Sequence, residues 1–150
     1  MDATLNYWNF CAALVAKGLR RLVGVEDVVA GFGVRGRPAL IGYVFGESWA
    51  AANRDPVARF LTATRAAKEI LATSDAEWDR IAPLVGARDA MTLKVFRERY
   101  REGIPRRPIA DEEADARLLY RVLAPLGGVA LAGPAAELDP GTFYRAKSGS

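Results

Sequence analysis

The run Ala39-Leu40-Ile41-Gly42-Tyr43-Val44-Phe45 constrains this chain more than any other stretch. It carries no charge, is apolar apart from one glycine, and ends in the β-favouring Tyr-Val-Phe, so it reads as a buried strand. A buried strand needs neighbours on both edges, and sheets usually hold about four to six strands. Outside this run the sequence offers one clear short strand, Asp2 to Asn6, and at most one more. The expected sheet is therefore incomplete.

Everything else reads as helix or connection. Tyr7 to Lys17 is an apolar helical stretch with Gly18 placed to end it. Leu22 to Val34 is ambiguous, with Val25, Val28, Val29 and Phe32 at helical spacings but Gly24, Gly31 and Gly33 interrupting them. Glu47 to Asn53 starts a short helix. Asp55 as cap and Pro56 at the first helical position predict a helix running to about Ala72, with Phe60, Leu61, Thr64 and Lys68 along it. Thr73-Ser74-Asp75 caps a further helix whose apolar face is Trp78, Ile81, Ala82 and Val85. Asp89 to Glu102 forms another, with Met91, Val95, Phe96 and Tyr100 inward and Gly103-Ile104-Pro105 as its stop. Asp111 to Leu123 is a helix with acidic residues in its first turn, where the macrodipole favours them. Gly127 to Pro140 reads as loop, and Phe143-Tyr144 as a docking tail.

Composition excludes several kinds of chemistry. The 150 residues contain no histidine, so His-ligated metal sites and Ser-His or Cys-His pairs within this chain are out. A single cysteine, Cys11, excludes an internal disulfide and a Cys-only zinc site. The net charge is +3, with 21 basic residues interleaved among 18 acidic ones, which gives no reason to expect a nucleic-acid partner. The longest apolar run near the start, Phe10 to Ala16, is too short to span a bilayer, and Met1 to Asn6 lacks the basic and apolar regions of an export signal.

The candidate motifs are weak, with one exception. Gly31-Phe-Gly33-Val-Arg-Gly36 matches G-x-G-x-x-G, but a helix-like stretch precedes it and no helix opens at its end, so it reads as a connection. Arg97, Arg99, Arg101, Arg106 and Arg107 alternate with Glu98 and Glu102 and read as a salt-bridged surface. Asp111-Glu112-Glu113-Asp115 is explained by its place at a helix start. Cys11 reads as a small buried hydrophobe. No catalytic constellation, metal site or cofactor is expected. The exception is Asn6-Tyr7-Trp8-Asn9, where two amides and two aromatics meet at the change from strand to helix. Amides supply hydrogen bonds, aromatic rings a stacking surface, and a helix N-terminus free N–H groups that favour anions. The plainer alternative, which the four residues alone favour, is that Asn6 or Asn9 only caps the helix and Trp8 packs in the core.

The opening Ala3-Thr-Leu-Asn6-Tyr-Trp8-Asn9-Phe, behind Asp2-Ala3, resembles a late second-lobe segment of the solute-binding proteins of ABC importers. The group concerned is the nitrate/sulfonate/taurine type, which also includes binders of the thiamine pyrimidine precursor. Leu40-Ile-Gly42-Tyr43-Val-Phe45 is similar to that family's segment crossing back to the first lobe. Glu47-Ser-Trp49-Ala-Ala-Ala-Asn53-Arg-Asp55-Pro56-Val-Ala-Arg-Phe60-Leu61 resembles its later signature. The resemblance runs from Asp2 to about Tyr144. It implies an α/β fold, the C-terminal half of a two-lobed type II periplasmic-binding-protein fold, helix-rich with an incomplete sheet. Residues 1–38 would end the second lobe, and residues 39–150 would hold the crossover strand and C-terminal helices of the first.

By the same resemblance the chain is not an enzyme. It captures a small polar, anionic or heteroaromatic solute, such as a sulfonate, nitrate or a pyrimidine, in the periplasm and presents it to an ABC permease. Asn6, Tyr7, Trp8 and Asn9 are the implied cleft residues, with Gly42 and Tyr43 near the hinge. Two other readings stand beside it. One is an enzyme of the pyrimidine-synthase branch of the same fold, which would want histidines; the other is a stand-alone α/β or mainly helical interaction module. An unpaired sheet edge also predicts self-association.

Overall fold

The computed structural model describes residues 3–36, 38 and 41–145. Seven helices order the described chain: α1 (Trp8–Ala16), α2 (Val25–Ala30), α3 (Glu47–Ala52), α4 (Arg54–Thr73), α5 (Asp75–Ile81), α6 (Ala90–Glu102) and α7 (Ile109–Ala132). A single 3-10 turn, Pro140–Thr142, follows them. No strand occurs among the described residues, so the expected α/β class is replaced by an all-α one.

Both expected strands fail for the same physical reason. A helix satisfies its backbone locally, whereas a strand requires a neighbour to accept and donate. Residues 3–6 are exposed and irregular; Asp2 lies outside the described residues. Ala39 and Leu40 also lie outside them, and residues 41–45 form neither helix nor strand. Ile41 and Val44, expected in a core, are 76% and 95% exposed. With neither run forming, neither can serve as the other's neighbour.

The chain forms two compact units, each assembled from separated stretches: Met1–Leu22 with Phe45–Ile104, and Val23–Val44 with Pro105–Ser150. In the first, α1 packs along α6. Ala12, Trp78, Val95 and Phe96 form its buried centre, walled by Val15, Leu71, Ile81, Val85 and Tyr100. Val57 of α4 is buried as well, and Leu61, Thr64, Lys68 and Leu71 follow it at alternating steps of four and three, a stripe that keeps one helix face inward. In the second unit, Val29 and Val34 pack with Leu118 and Leu119 of α7.

Local signals explain several helix ends. Lys17 ends α1 and Gly18 follows at φ +89, with Gly18 N–H donating to Val15 O and Leu19 N–H to Leu14 O, the paired bonds of a Schellman cap. Ser74 Oγ accepts from Glu77 N–H to start α5, and Asp89 accepts from Thr92 N–H to start α6. In α2, Gly24 N–H donates to Asp27 Oδ2 at 2.8 Å.

Two boundaries move. Helix α4 opens at Arg54 behind Asn53, so Asp55 is not its cap and Pro56 is its third residue. Proline is tolerated there because N–H groups of a first turn have no intrahelical acceptor. Helix α7 runs past the expected end at Leu123, through Pro125, and breaks at Gly128 (φ +64) before a last turn to Ala132. Tyr120 Oη lies 2.8 Å from Ala132 O and 3.0 Å from Ala135 O, so its hydroxyl holds the end of α7 and the segment after it. No described helix is long and apolar enough to cross a membrane.

Candidate functional site

The Asn6–Asn9 corner sits where the irregular N-terminal segment turns into α1. Tyr7 is the N-cap residue in extended conformation, and no side chain caps the helix or places an acid in its first turn. The first N–H groups of α1 are therefore left to solvent or to a ligand. Asn6 Nδ2 donates to Thr4 Oγ1 at 2.8 Å, and Cys11 Sγ lies 3.3 Å from Asn6 O, which ties the corner's backbone to the helix behind it.

Trp8 is the fixed element. Its ring meets Phe96 edge-on at 5.8 Å between centroids and Tyr100 at 6.3 Å, both on α6. Tyr100 in turn packs edge-on against the fully buried Trp78 at 5.3 Å. One side of Trp8 is thus set against a buried aromatic stack while the indole remains 45% exposed. Tyr7 beside it is exposed, and Asn9 is half-buried. Such a corner offers a stacking face, unengaged donors and the positive end of a short helix.

Behind the corner lies a polar knot. Trp78 Nε1 donates to Leu71 O at 2.8 Å, and Arg101 Nε donates to the same carbonyl at 3.1 Å. Arg101 Nη2 reaches Asp75 Oδ1 at 2.8 Å and Arg97 Nη1 reaches Asp75 Oδ2 at 3.0 Å. The last turn of α4, the first residue of α5 and one face of α6 are tied together here. Arg99 pairs with Glu102 at 2.9 Å. The arginines of α6 are engaged in ion pairs, but only Arg99 uses an interleaved glutamate; Arg97 and Arg101 both reach Asp75 of α5.

Gly42 and Tyr43 belong to the other unit, in the irregular segment before α3. They are not on a strand, and Tyr43 is 59% exposed. Of the six residues singled out, four form one local corner and two sit elsewhere in the chain's organisation.

The acidic cluster of α7 holds what the sequence did not disclose. Glu112, Glu113 and Asp115 are buried. Asp115 accepts a very short bond from Arg107 Nη1. Arg145 approaches Glu113 with two nitrogens, Nε at 3.0 Å and Nη2 at 2.5 Å. Both guanidinium groups are held still more firmly protonated than usual, first by those hydrogen bonds and then by the carboxylate charges. Only the helix-start placement was readable in sequence, since the partners lie 8 and 32 positions away. Among the described residues no cluster of acidic and cysteine side chains is arranged to hold a metal ion. The G-x-G-x-x-G match follows the end of α2, so it lacks the strand a phosphate-binding turn requires.

No protein-family model matches the chain, and no curated protein matches it either.

Proposed function

We propose that this chain is a solute-capturing component of an ABC importer, working in the periplasm, and that it performs no chemistry. The observation that carries the reading is the Trp8 corner: a half-exposed indole braced by Phe96 and Tyr100 at the uncapped start of α1. A planar or small anionic solute, a nitrate, a sulfonate or a pyrimidine, is matched by a ring to stack on, side-chain amides and backbone donors. The resemblance of Asp2 to Asn9 and of Glu47 to Leu61 to the nitrate/sulfonate/taurine binders points to the same ligands. Delivery of the solute is to a membrane permease.

Titration calorimetry against nitrate, taurine and an aminopyrimidine tests it. Binding of one of the three is expected, and Trp8→Ala should weaken it by roughly 1–3 kcal/mol, the range for a contact aromatic. Trp8→Phe, which keeps a ring against Phe96 and Tyr100, should restore part of the loss. No heat with any of the three overturns the reading; unchanged affinity in Trp8→Ala removes Trp8 from the site.

A further inference from the structure

Helix α1 is built the wrong way round for a helix facing water. Its nine residues carry no charge, and Asn9 is their one amide. Ala12 is 1% exposed and faces the buried centre of its unit, where α1 packs along α6. At about 100° per residue, Phe10 and Leu14 stand two positions either side of Ala12 and so on the opposite face, while Trp8, Asn9 and Ala16 share the inward half. A surface helix turns its apolar residues in and its polar ones out. Here Phe10 is 57% exposed, Leu14 is half-buried, and the amide is on the inner side. The Schellman cap lengthens the outer stripe, because Leu19 N–H donates to Leu14 O at 3.1 Å and so brings Leu19, 49% exposed, beside its end. The charges next to this stripe have one sign. Residues 3–25 hold Lys17, Arg20 and Arg21 and no acid, in a chain that interleaves the two signs elsewhere. Lys17, five positions after Ala12, falls on the outer face, and both it and Arg20 are exposed.

We propose that the outer face of α1 docks on an anionic lipid surface, with Phe10, Leu14 and Leu19 entering the headgroup boundary and Lys17 and Arg20 meeting lipid phosphates at its rim. The helix lies in the interface and does not span it: nine residues rise about 14 Å, against a hydrocarbon core of about 30 Å. An interfacial helix needs apolar side chains that reach roughly 5–10 Å deep and cations beside them. The long stems of Lys17 and Arg20 let their charges stay at headgroup level while the stripe sinks. Lipid fits better than a protein partner. The stripe has no hydrogen-bonding side chain, whereas protein interfaces typically carry about ten direct hydrogen bonds. Its one selective feature is the positive sign of its surroundings, which anionic headgroups match. The proposal stands apart from the solute reading, since Trp8 is turned toward α6 and docking requires no solute.

Co-sedimentation of the full chain with vesicles of phosphatidylcholine alone, and of phosphatidylcholine with one-third phosphatidylglycerol, tests this. Binding to the anionic vesicles is expected, with much weaker binding to the neutral ones. Phe10→Ser should lower binding to the anionic vesicles roughly tenfold or more. Lys17→Gln should lower it roughly fivefold there and leave the neutral vesicles unaffected. Leu84→Ser removes an apolar side chain that is 86% exposed elsewhere in the same unit and should change nothing. Far-UV circular dichroism checks that each variant keeps its helix content, and should Phe10→Ser lose it, Leu19→Ser probes the same face from outside the helix. No binding to either vesicle overturns the proposal and gives the stripe to a protein partner. Equal binding to both compositions, or equal weakening by Phe10→Ser and Leu84→Ser, overturns it in favour of unspecific adsorption.

Discussion

Replacing Trp78 by phenylalanine probes the aromatic stack beneath Trp8 without emptying it. Trp78 is 1% exposed, so the three ring atoms removed come from a fully packed place. Lost burial and a partial cavity make that about 2 kcal/mol. The indole N–H bond to Leu71 O adds about 0.5–1.5 kcal/mol net. The carbonyl is not stranded, because Arg101 Nε still donates to it at 3.1 Å. The single substitution should therefore cost about 2–4 kcal/mol. Arg101→Met keeps the aliphatic stem and removes the second donor, while Asp75 retains Arg97 at 3.0 Å, so alone it should cost about 1 kcal/mol. Together the two leave the Leu71 carbonyl without either side-chain donor. The double variant should then lose about 1 kcal/mol or more beyond the sum of the singles. Urea unfolding followed by far-UV circular dichroism, with unchanged m-values, measures all four corners of the cycle. Additivity within about 0.5 kcal/mol would refute the shared-carbonyl argument.

The other expectations concern the site and two helix ends. Trp8→Ala should weaken solute binding in calorimetry, with Trp8→Phe intermediate. Gly18 sits at φ +89 with open space where a Cβ would stand, so Gly18→Ala meets only backbone strain and should cost about 1 kcal/mol in urea melts. Hydrogen bonds from the Thr92 backbone and then its hydroxyl hold the Asp89 carboxyl below the usual aspartate range. Because the folded value is depressed, this cap's contribution is complete above the ordinary aspartate pKa and is lost as pH falls through the lowered value. Hydrogen exchange in the first turn of α6 should speed up across that acidic window, and Asp89→Asn, which caps without titrating, should flatten the response.

How legible the protein was from sequence divides along the range of the interactions involved. Ser74 and Asp89 announced the starts of α5 and α6, and Gly18 the end of α1, because capping bonds span only a few residues. The inward faces of α5 and α6 were largely readable from helical spacing: Trp78, Val95 and Phe96 are at the centre of their unit, whereas Met91, also read as inward, is 55% exposed. The shelf beneath Trp8 was half-legible: Phe96 and Tyr100 could be placed inward, but not against Trp8, some ninety positions earlier. The burial of Glu113 was not legible at all, since it depends on Arg145 returning from 32 residues away.

Sequence by itself determined where most of this chain is helical, how α5 and α6 are capped, and which chemistries its missing histidines and lone cysteine forbid. Those are matters of neighbouring residues and of atoms present or absent. Tertiary structure alone decided that Ile41–Phe45 stays outside any strand, that three α7 carboxylates are buried, and that Trp8 is braced yet half-open. Each of these depends on what distant segments bring alongside: a ladder needs a neighbouring strand, a buried carboxylate an arginine from elsewhere, and an aromatic shelf a second helix.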